Sequence, residues 1–395
     1  MARHISVGID IGTHQIKVAV CELGAHPDAP KILGVGIAES KGLRHGYIVN
    51  AQEAAQSVAK AVREAEKTSG MKIGRAFLAI GGVGLQSVVT NGSLLISRAD
   101  LEITDLDVEK VIKNSKAEIP TSFSLNRKIL HEIPLAFKID GKPVYGVQPQ
   151  GLKATRLEVR TLFVTCLEQH ENGLLQAVED AGVQVIDAVA APLAAGVVAL
   201  NKAQKIAGCV LANIGSETVS IVVYENNIPI SLEVFPIGSN DITNDIALGL
   251  KITLEEAERV KLGAVTQVSY PRKKLDEIVV ARLSDMLELI EAHLRKIGKN
   301  GMLPAGILIT GGGSSITTIE DLAKAYLKLP SKIQNTAKQT EKVQIKDSMW
   351  AVAYGLCAIG LTTDDGTFSR SGNGMWKSVK GSFGRVGTFF GQFLP

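Results

Sequence analysis

Ile9-Asp10-Ile11-Gly12-Thr13-His14-Gln15-Ile16-Lys17-Val18-Ala19-Val20 and Ala212-Asn213-Ile214-Gly215-Ser216-Glu217-Thr218-Val219-Ser220-Ile221-Val222-Val223 fall on one another at a constant offset of 203 residues. Each reads as a strand, a turn with glycine beside Thr or Ser, and a second strand rich in β-branched residues. That is the pattern of a β-hairpin with a loop of about 3–5 residues. A repeated hairpin makes the chain two related halves. Glycine at the turn lets the backbone approach a ligand closely, and the neighbouring N–H and hydroxyl groups can point at phosphate oxygens. Two such hairpins facing one another would grip a nucleotide tail from both sides. A third element, Gly306-Ile307-Leu308-Ile309-Thr310-Gly311-Gly312-Gly313-Ser314-Ser315, is a buried-type strand ending in three glycines before a helix-compatible segment from Thr317 to Lys328. It suits a nucleotide approaching a helix N-terminus.

The remaining composition sets the limits. A chain of 395 residues accommodates two or three domains, and 45% hydrophobic with 21% charged residues is a globular composition that excludes wholesale disorder. Cys21, Cys166, Cys209 and Cys357 stand far apart without a Cys-x-x-Cys pair, so they read as buried small hydrophobes in a reducing compartment. The N-terminus lacks the features of a signal peptide, which points to the cytoplasm. The most apolar long stretch, Val183 to Leu200, contains Asp187 and Pro192 and is not expected to span a membrane. Net charge is +3, but Arg370, Lys377, Lys380 and Arg385 supply four cations in an acid-free tail and leave the first 369 residues at −1. A nucleic-acid binder carries its basic stripe across the folded body, so nucleic acid is not expected as a partner.

The three glycine turns, in this order and spacing, resemble the two phosphate motifs and the adenosine motif of the actin-like ATPase superfamily. Within it the chain resembles the FtsA family of bacterial cell-division proteins. The narrowing rests on Gly238-Ser239-Asn240-Asp241-Ile242-Thr243-Asn244-Asp245-Ile246-Ala247 and on Glu258-Arg259-Val260-Lys261-Leu262-Gly263. Ile278 to Ile290 around Arg282, Trp350-Ala351-Val352-Ala353-Tyr354-Gly355-Leu356 and the tail add to it.

The resemblance implies an α/β, actin-like two-lobed fold of duplicated ribonuclease-H-like sheets, with an inserted small α+β subdomain 1C (an SHS2 domain) and a C-terminal amphipathic helix. Subdomain 1A would take residues 1–81 and 168–200, with a helix from Ala51 to Thr68, and subdomain 1C residues 82–167. Inside the insertion, Val88 to Ile96 and Arg156 to Cys166 alternate like half-buried strands. Thr104 to Lys116 reads as a helix capped by Thr104 with Asp107 three positions on. The second lobe would occupy 201–361, with 2B at about 246–300. Arg272-Lys273-Lys274, after Pro271, is expected in a loop as a solvated charge run.

The implied cofactors are ATP and Mg2+. Asp10, Gly12, Thr13, His14, Gln15 and Lys17 form the first phosphate site, with Asp10 the magnesium residue, acting through water. Asn213, Gly215, Ser216, Glu217 and Thr218, with Gly238, form the second, and Gly311, Gly312, Gly313 and Ser314 the adenosine site. Thr253-Leu254-Glu255-Glu256 is a capping box opening a helix on which Glu258 and Lys261 share a face. By resemblance these two hold the ribose and adenine edge; from spacing alone a surface ion pair is the preferred reading. The other histidines, His4, His45, His131, His170 and His293 among them, show no metal-ligand spacing and read as structural or surface residues.

Two substitutions bear on turnover. Where the superfamily usually has a second Asp this chain has Asn213, and where many hydrolytic relatives have Glu before the crossover proline it has Ala191-Pro192. Positioning of a water by a polar group is worth about 10²–10⁴-fold in rate. Binding with slow or absent hydrolysis is therefore expected, unless Asp241, Asp245 or Gln15 takes over. Asn213 as a plain strand-end polar residue is the alternative.

Residues 362–374 have the composition of a flexible linker. Beyond them Trp376, Val379, Phe383, Val386, Phe390 and Phe393 recur at +3, +4, +3, +4, +3, while Lys377, Lys380 and Arg385 fall off the stripe. Residues 375–395 thus have the makings of an in-plane membrane helix; docking of a terminal helix on a protein surface is the alternative. Gly381, Gly384, Gly387 and Gly391 each cost roughly 1 kcal/mol in a helix, so one copy would bind reversibly and a polymer firmly. The implied function is a peripheral tether on the cytoplasmic face of the cell membrane at the division site. It would polymerise with itself, bind anionic lipids, recruit the tubulin-like protein FtsZ through a surface near Arg282, and meet other divisome proteins. A PilM-like scaffold of pilus assembly and, more remotely, a sugar kinase are the rival readings.

Overall fold

The computed structural model describes residues 4–24, 30–144, 149–264, 270–316, 318–334, 338–339, 344–345 and 348–362. The linker and amphipathic segment expected beyond Thr362 lie outside the described residues.

Two five-stranded sheets share one topology. The first runs Gln184–Ala190, Arg75–Ile80, Ile5–Ile11, Gln15–Glu22, Lys31–Glu39 across its width, and the second Ser331–Ile333, Ile307–Thr310, Cys209–Ile214, Val219–Glu225, Ile228–Phe235. In each, three strands in sequence are antiparallel and the other two add in parallel on the open side of the first. The sequence offset holds down to single pairs: Asp10 lies opposite Lys17, and Asn213 opposite Ser220. This is the duplicated, actin-like architecture.

Strands buried on both faces demand near-continuous apolar runs, as seen in Ile5–Ile11 and Cys209–Ile214. In the second lobe Leu211, Val222 and Leu232 point to the crossover side, while Val210, Ile221 and Val223 point to the helices Ser239–Leu250 and Arg272–Lys296. The crossover helix Ala191–Ala199 packs against both sheets and against the last helix, Ala351–Thr362. Helix Ala51–Ser69 starts on Asn50, whose side chain accepts from the Glu53 N–H, and ends at the left-handed Gly70.

Between the fourth and fifth strands of the first sheet, the chain builds a separate four-stranded sheet ordered Gln86–Leu95, Arg156–Leu167, Arg127–Ile139, Lys142–Pro143. The helix Asp105–Ala117 covers one face. The Asp107 carboxylate accepts from the Thr104 N–H at 2.8 Å and Oγ1 at 2.7 Å. Arg98 donates to the same carboxylate, and chiefly for that reason the Asp107 pKa is lowered to about 2. The insertion also reaches the second lobe, where the Ser87 hydroxyl donates to the Leu232 carbonyl at 2.7 Å and accepts its N–H at 2.8 Å.

One local expectation is corrected. Arg272-Lys273-Lys274 is the exposed first turn of helix Arg272–Lys296 and not a loop, because Pro271 serves as N-cap and its carbonyl takes the N–H groups of Lys274 and Leu275.

Gly355 is where the last helix touches the crossover helix, and a Cβ there would run into the Ala194 carbonyl. Gly355→Val is expected to lower stability by about 1–3 kcal/mol through overpacking. The check is a fall in the midpoint of chemical unfolding.

Candidate functional site

The hairpin turns Gly12–His14 and Gly215–Thr218 come from different lobes and meet at one cleft of about 450 Å³. Its walls contain Asp10, Gly12, Thr13, His14, Gln15 and Lys17 from the first lobe. Asn213, Gly215, Ser216, Thr218, Glu258, Lys261, Gly311, Gly312 and Gly313 come from the second. The structure therefore assembles residues spread over some three hundred positions of sequence, all of them read as site candidates.

Three further candidates stand one layer back. The Ser314 hydroxyl is buried, donating to the Gly311 carbonyl at 2.7 Å and contacting Ser348 Oγ at the same distance. Gly238 packs so closely on the second turn that a Cβ would run into the Ser216 carbonyl; its N–H donates to Asp241 Oδ2 at 2.8 Å. Glu217 turns its carboxylate to the first lobe, where it accepts the His45 N–H.

The second turn is pinned from behind. The first amides of helix Ser239–Leu250 close on it, Ser239 N–H to the Gly215 carbonyl at 2.9 Å and Asn240 N–H to the Ser216 carbonyl at 2.8 Å. Gly311 has φ +91°, open to glycine at little cost. A side chain there would collide with Asn213 Oδ1 and lie 2.5 Å from the Ile214 carbonyl. Backbone thus approaches backbone at the junction of two strand ends.

The charged groups lining the cleft are few. Among the described lining residues the carboxylates are Asp10 and Glu258. Burial raises the Asp10 pKa, and the positive charge of Lys17, its cross-strand partner, partly opposes this. Lys261 is buried under the cleft wall with a side-chain exposure of 6%. Its Nζ sits 2.7 Å from Glu258 Oε2, 2.9 Å from Thr243 Oγ1 and 3.2 Å from the Ser239 carbonyl. Thr243 Oγ1 in turn donates to Glu258 Oε2 at 2.6 Å. This is a built network, not a loose surface pair. Burial pushes the Glu258 pKa up, but the hydrogen bonds from Lys261 and Thr243 and the charges of Lys261 and His14 outweigh it, and the net shift is downward.

The groups named as substitutes in hydrolysis are mostly committed elsewhere. Asp241 caps its own helix. Asp245 is held in a fork by Arg282, Nε to Oδ2 at 2.6 Å and the second nitrogen to Oδ1 at 3.0 Å. Gln15 does line the cleft, and Ala191 lies beside it. Arg282, the candidate partner residue, also contacts Asp285 at 3.2 Å and is half-buried. Among the described residues, no group of three or more His, Cys, Asp or Glu is placed to hold a metal.

Sequence reasoning missed Gly46, Gly81, Gly82, Ser239, Asn240, Ser348 and Met349, all on the wall. A signal for two of them was present. Leu78-Ala79-Ile80-Gly81-Gly82 ends the fourth strand of the first lobe as Leu308-Ile309-Thr310-Gly311-Gly312 ends that of the second.

Comparison with known proteins matches residues 210–355 to the family described as cell division protein FtsA, and residues 82–165 to the SHS2 domain inserted in FtsA. The cell division protein FtsA of Bacillus subtilis is 30% identical over 371 residues, spanning 89% of this chain and 82% of that one. The chain belongs to the FtsA family of cell-division proteins. Among solved structures, the PilM–PilN type IV pilus biogenesis complex superposes with TM-score 0.66 at 18% identity, covering 90% of this chain and 98% of the other. Spiroplasma citri MreB5 bound to ADP does so with TM-score 0.50 at 14% identity, covering 89% and 94%. Both likenesses show the actin-like fold. As a member of the FtsA family, the chain is an actin-like protein of cell division that acts at the division site with divisome partners. Among the described residues, no helix is long and apolar enough to cross a membrane.

The Glu258–Lys261 network makes a pH prediction. Because the Glu258 pKa is lowered on folding, its stabilisation is present above the ordinary glutamate value of about 4.5 and is lost as pH falls through the folded value below that. Urea-unfolding midpoints of the wild type should therefore drop more steeply on acidification below about pH 4.5 than those of Lys261→Met.

Proposed function

We propose that this FtsA-family chain binds ATP with Mg2+ between its two hairpin turns, hydrolyses it slowly, polymerises, and ties FtsZ filaments to the cytoplasmic face of the membrane. The observation that carries the nucleotide reading is the convergence of two duplicated glycine turns and a glycine-rich strand end on one cleft. Such a surface offers main-chain N–H groups and hydroxyls to phosphate oxygens.

A magnesium ion carried by a nucleotide needs only one or two protein carboxylates, directly or through water. Asp10, with the neutral amide of Asn213 on the wall of the same cleft, fits that modest demand. The ion would supply charge neutralisation of the phosphates. Lys17 opposite Asp10 is positioned to add a cation on the same side.

Slow turnover follows from what the cleft contains. Asn213 contributes no charge, Ala191 contributes no base, and Asp241 and Asp245 are engaged in a cap and an ion pair. Gln15, the one named substitute that lines the cleft, is a neutral amide that can orient a water but not take its proton. Losing about 10²–10⁴ from an ordinary turnover of about 10 per second leaves roughly 0.001–0.1 per second. Asp10→Asn is expected to remove the magnesium dependence of nucleotide affinity. In the wild type that dependence should fade as pH drops toward the raised Asp10 pKa, as measured by titration calorimetry at several pH values.

The membrane assignment rests on the acid-free stripe of Trp376, Val379, Phe383, Val386, Phe390 and Phe393 with Lys377, Lys380 and Arg385 beside it. Co-sedimentation with anionic liposomes and ATP tests it by comparing the full chain with one ending at Gly374. The full chain alone is expected to pellet. Equal behaviour of the two would remove the tail as anchor.

A further inference from the structure

His45 and Glu217 belong to different lobes and meet beside the two hairpin turns. His45 tips a small hairpin, Leu43–Arg44 with Tyr47–Ile48, and has φ +49°; Gly46 follows at φ +85°. Two successive left-handed residues are the type I′ signature of a two-residue hairpin loop, with glycine at the second position. Here they aim the His45 N–H at the second lobe, where Glu217 Oε2 accepts it. The imidazole Nδ1 stands 3.3 Å from the Glu217 main-chain oxygen, so both halves of His45 engage one residue of the second turn.

The first lobe holds this tip firmly. Its backbone rests on Gly82, itself at φ +83°: a Cβ on Gly46 would lie 2.5 Å from Gly82 Cα, and one on Gly82 would lie 3.1 Å from the His45 carbonyl. Tyr47 packs in a tilted contact on His170 with ring centroids 4.7 Å apart, and His170 Nε2 is 2.8 Å from the Gly81 carbonyl. A hydrogen bond from a backbone N–H to a carboxylate is charge-assisted and among the stronger single contacts a protein makes. It also joins the two lobes whose turns wall the cleft.

We propose that the His45 tip and Glu217 form a latch across the cleft, which closes the second turn onto the first lobe and retains a bound nucleotide. The assignment rests on the nucleotide reading of the cleft. It gives Glu217 a positioning role through the other lobe, in place of direct contact with the ligand. Opening the latch becomes part of the release step, so its loss speeds dissociation more than it slows association.

The test uses the full-length chain and two readouts. First, hydrogen exchange of the segment spanning His45, without nucleotide, should be faster in Glu217→Ala than in wild type, with exchange elsewhere confirming an intact fold. Second, an ATP bearing a ribose fluorophore is bound and chased with excess ATP. Glu217→Ala should release it about ten-fold faster or more, Glu217→Gln should fall between the two, and His45→Ala, which keeps the main-chain N–H, should stay within about three-fold of wild type. Unchanged exchange at His45, or equal release from wild type and Glu217→Ala, overturns the latch while leaving the nucleotide reading standing. Failure of the wild type to bind unmodified ATP in titration calorimetry overturns the nucleotide reading and the retention role with it. In that case the exchange readout still reports whether the contact forms.

Discussion

The close approach of main chain to main chain where the strands of the second sheet end at the cleft is the constraint on which the rest of the structure depends. Asn213 and Ile214 end one strand against Gly311 at the end of its parallel neighbour, and Gly238 lies on the Ser216 carbonyl. Side chains are excluded from these junctions. What remains facing the cleft is a lining of turns, which is chemically suited to anions of fixed shape. The same hairpin register in both lobes places the two turns in equivalent positions, so one turn geometry lines the cleft twice, once from each lobe.

Retention and turnover make different demands on such a cleft. Turns, hydroxyls and one desolvated carboxylate are enough to hold a magnesium-bound phosphate chain, whereas efficient hydrolysis also needs a poised group beside the attacking water. The residues that might have supplied it are neutral, absent or bound elsewhere, Asn213, Ala191 and Asp245 being respective examples. Under the proposed function, a long-lived bound state would serve a filament that has to persist on a membrane surface. It would also suit the proposed membrane tail, whose four glycines argue for weak single-copy binding, because avidity depends on how many subunits remain assembled.

Much of this was legible in the sequence, for specific reasons. Strands buried on both faces wrote themselves as apolar runs, and the repeat at offset 203 announced two hairpins, whose equivalent registers place Asp10 opposite Lys17 and Asn213 opposite Ser220. The Thr104 and Thr253 caps were legible because capping uses short-range chemistry. The strand Arg127–Ile139 was not. Pro134 interrupts it and register shifts occur opposite Arg160/Thr161 and Val164/Thr165, which breaks the two-residue alternation. The helical first turn at Arg272–Lys274 was hidden by its charge, since three cations at a helix start run against the dipole. The orientation of Glu217 is a tertiary fact: nothing in its own turn says that its carboxylate belongs to a histidine N–H 172 residues away.

The central claim is that the cleft keeps ATP without consuming it quickly. A single-turnover experiment with full-length chain in excess over labelled ATP and magnesium addresses it most directly. The account predicts label that travels with the protein and remains ATP over seconds to minutes, in keeping with a hydrolysis rate of about 0.001–0.1 per second. Label that fails to travel with the protein, or that becomes ADP at several turnovers per second, would contradict it.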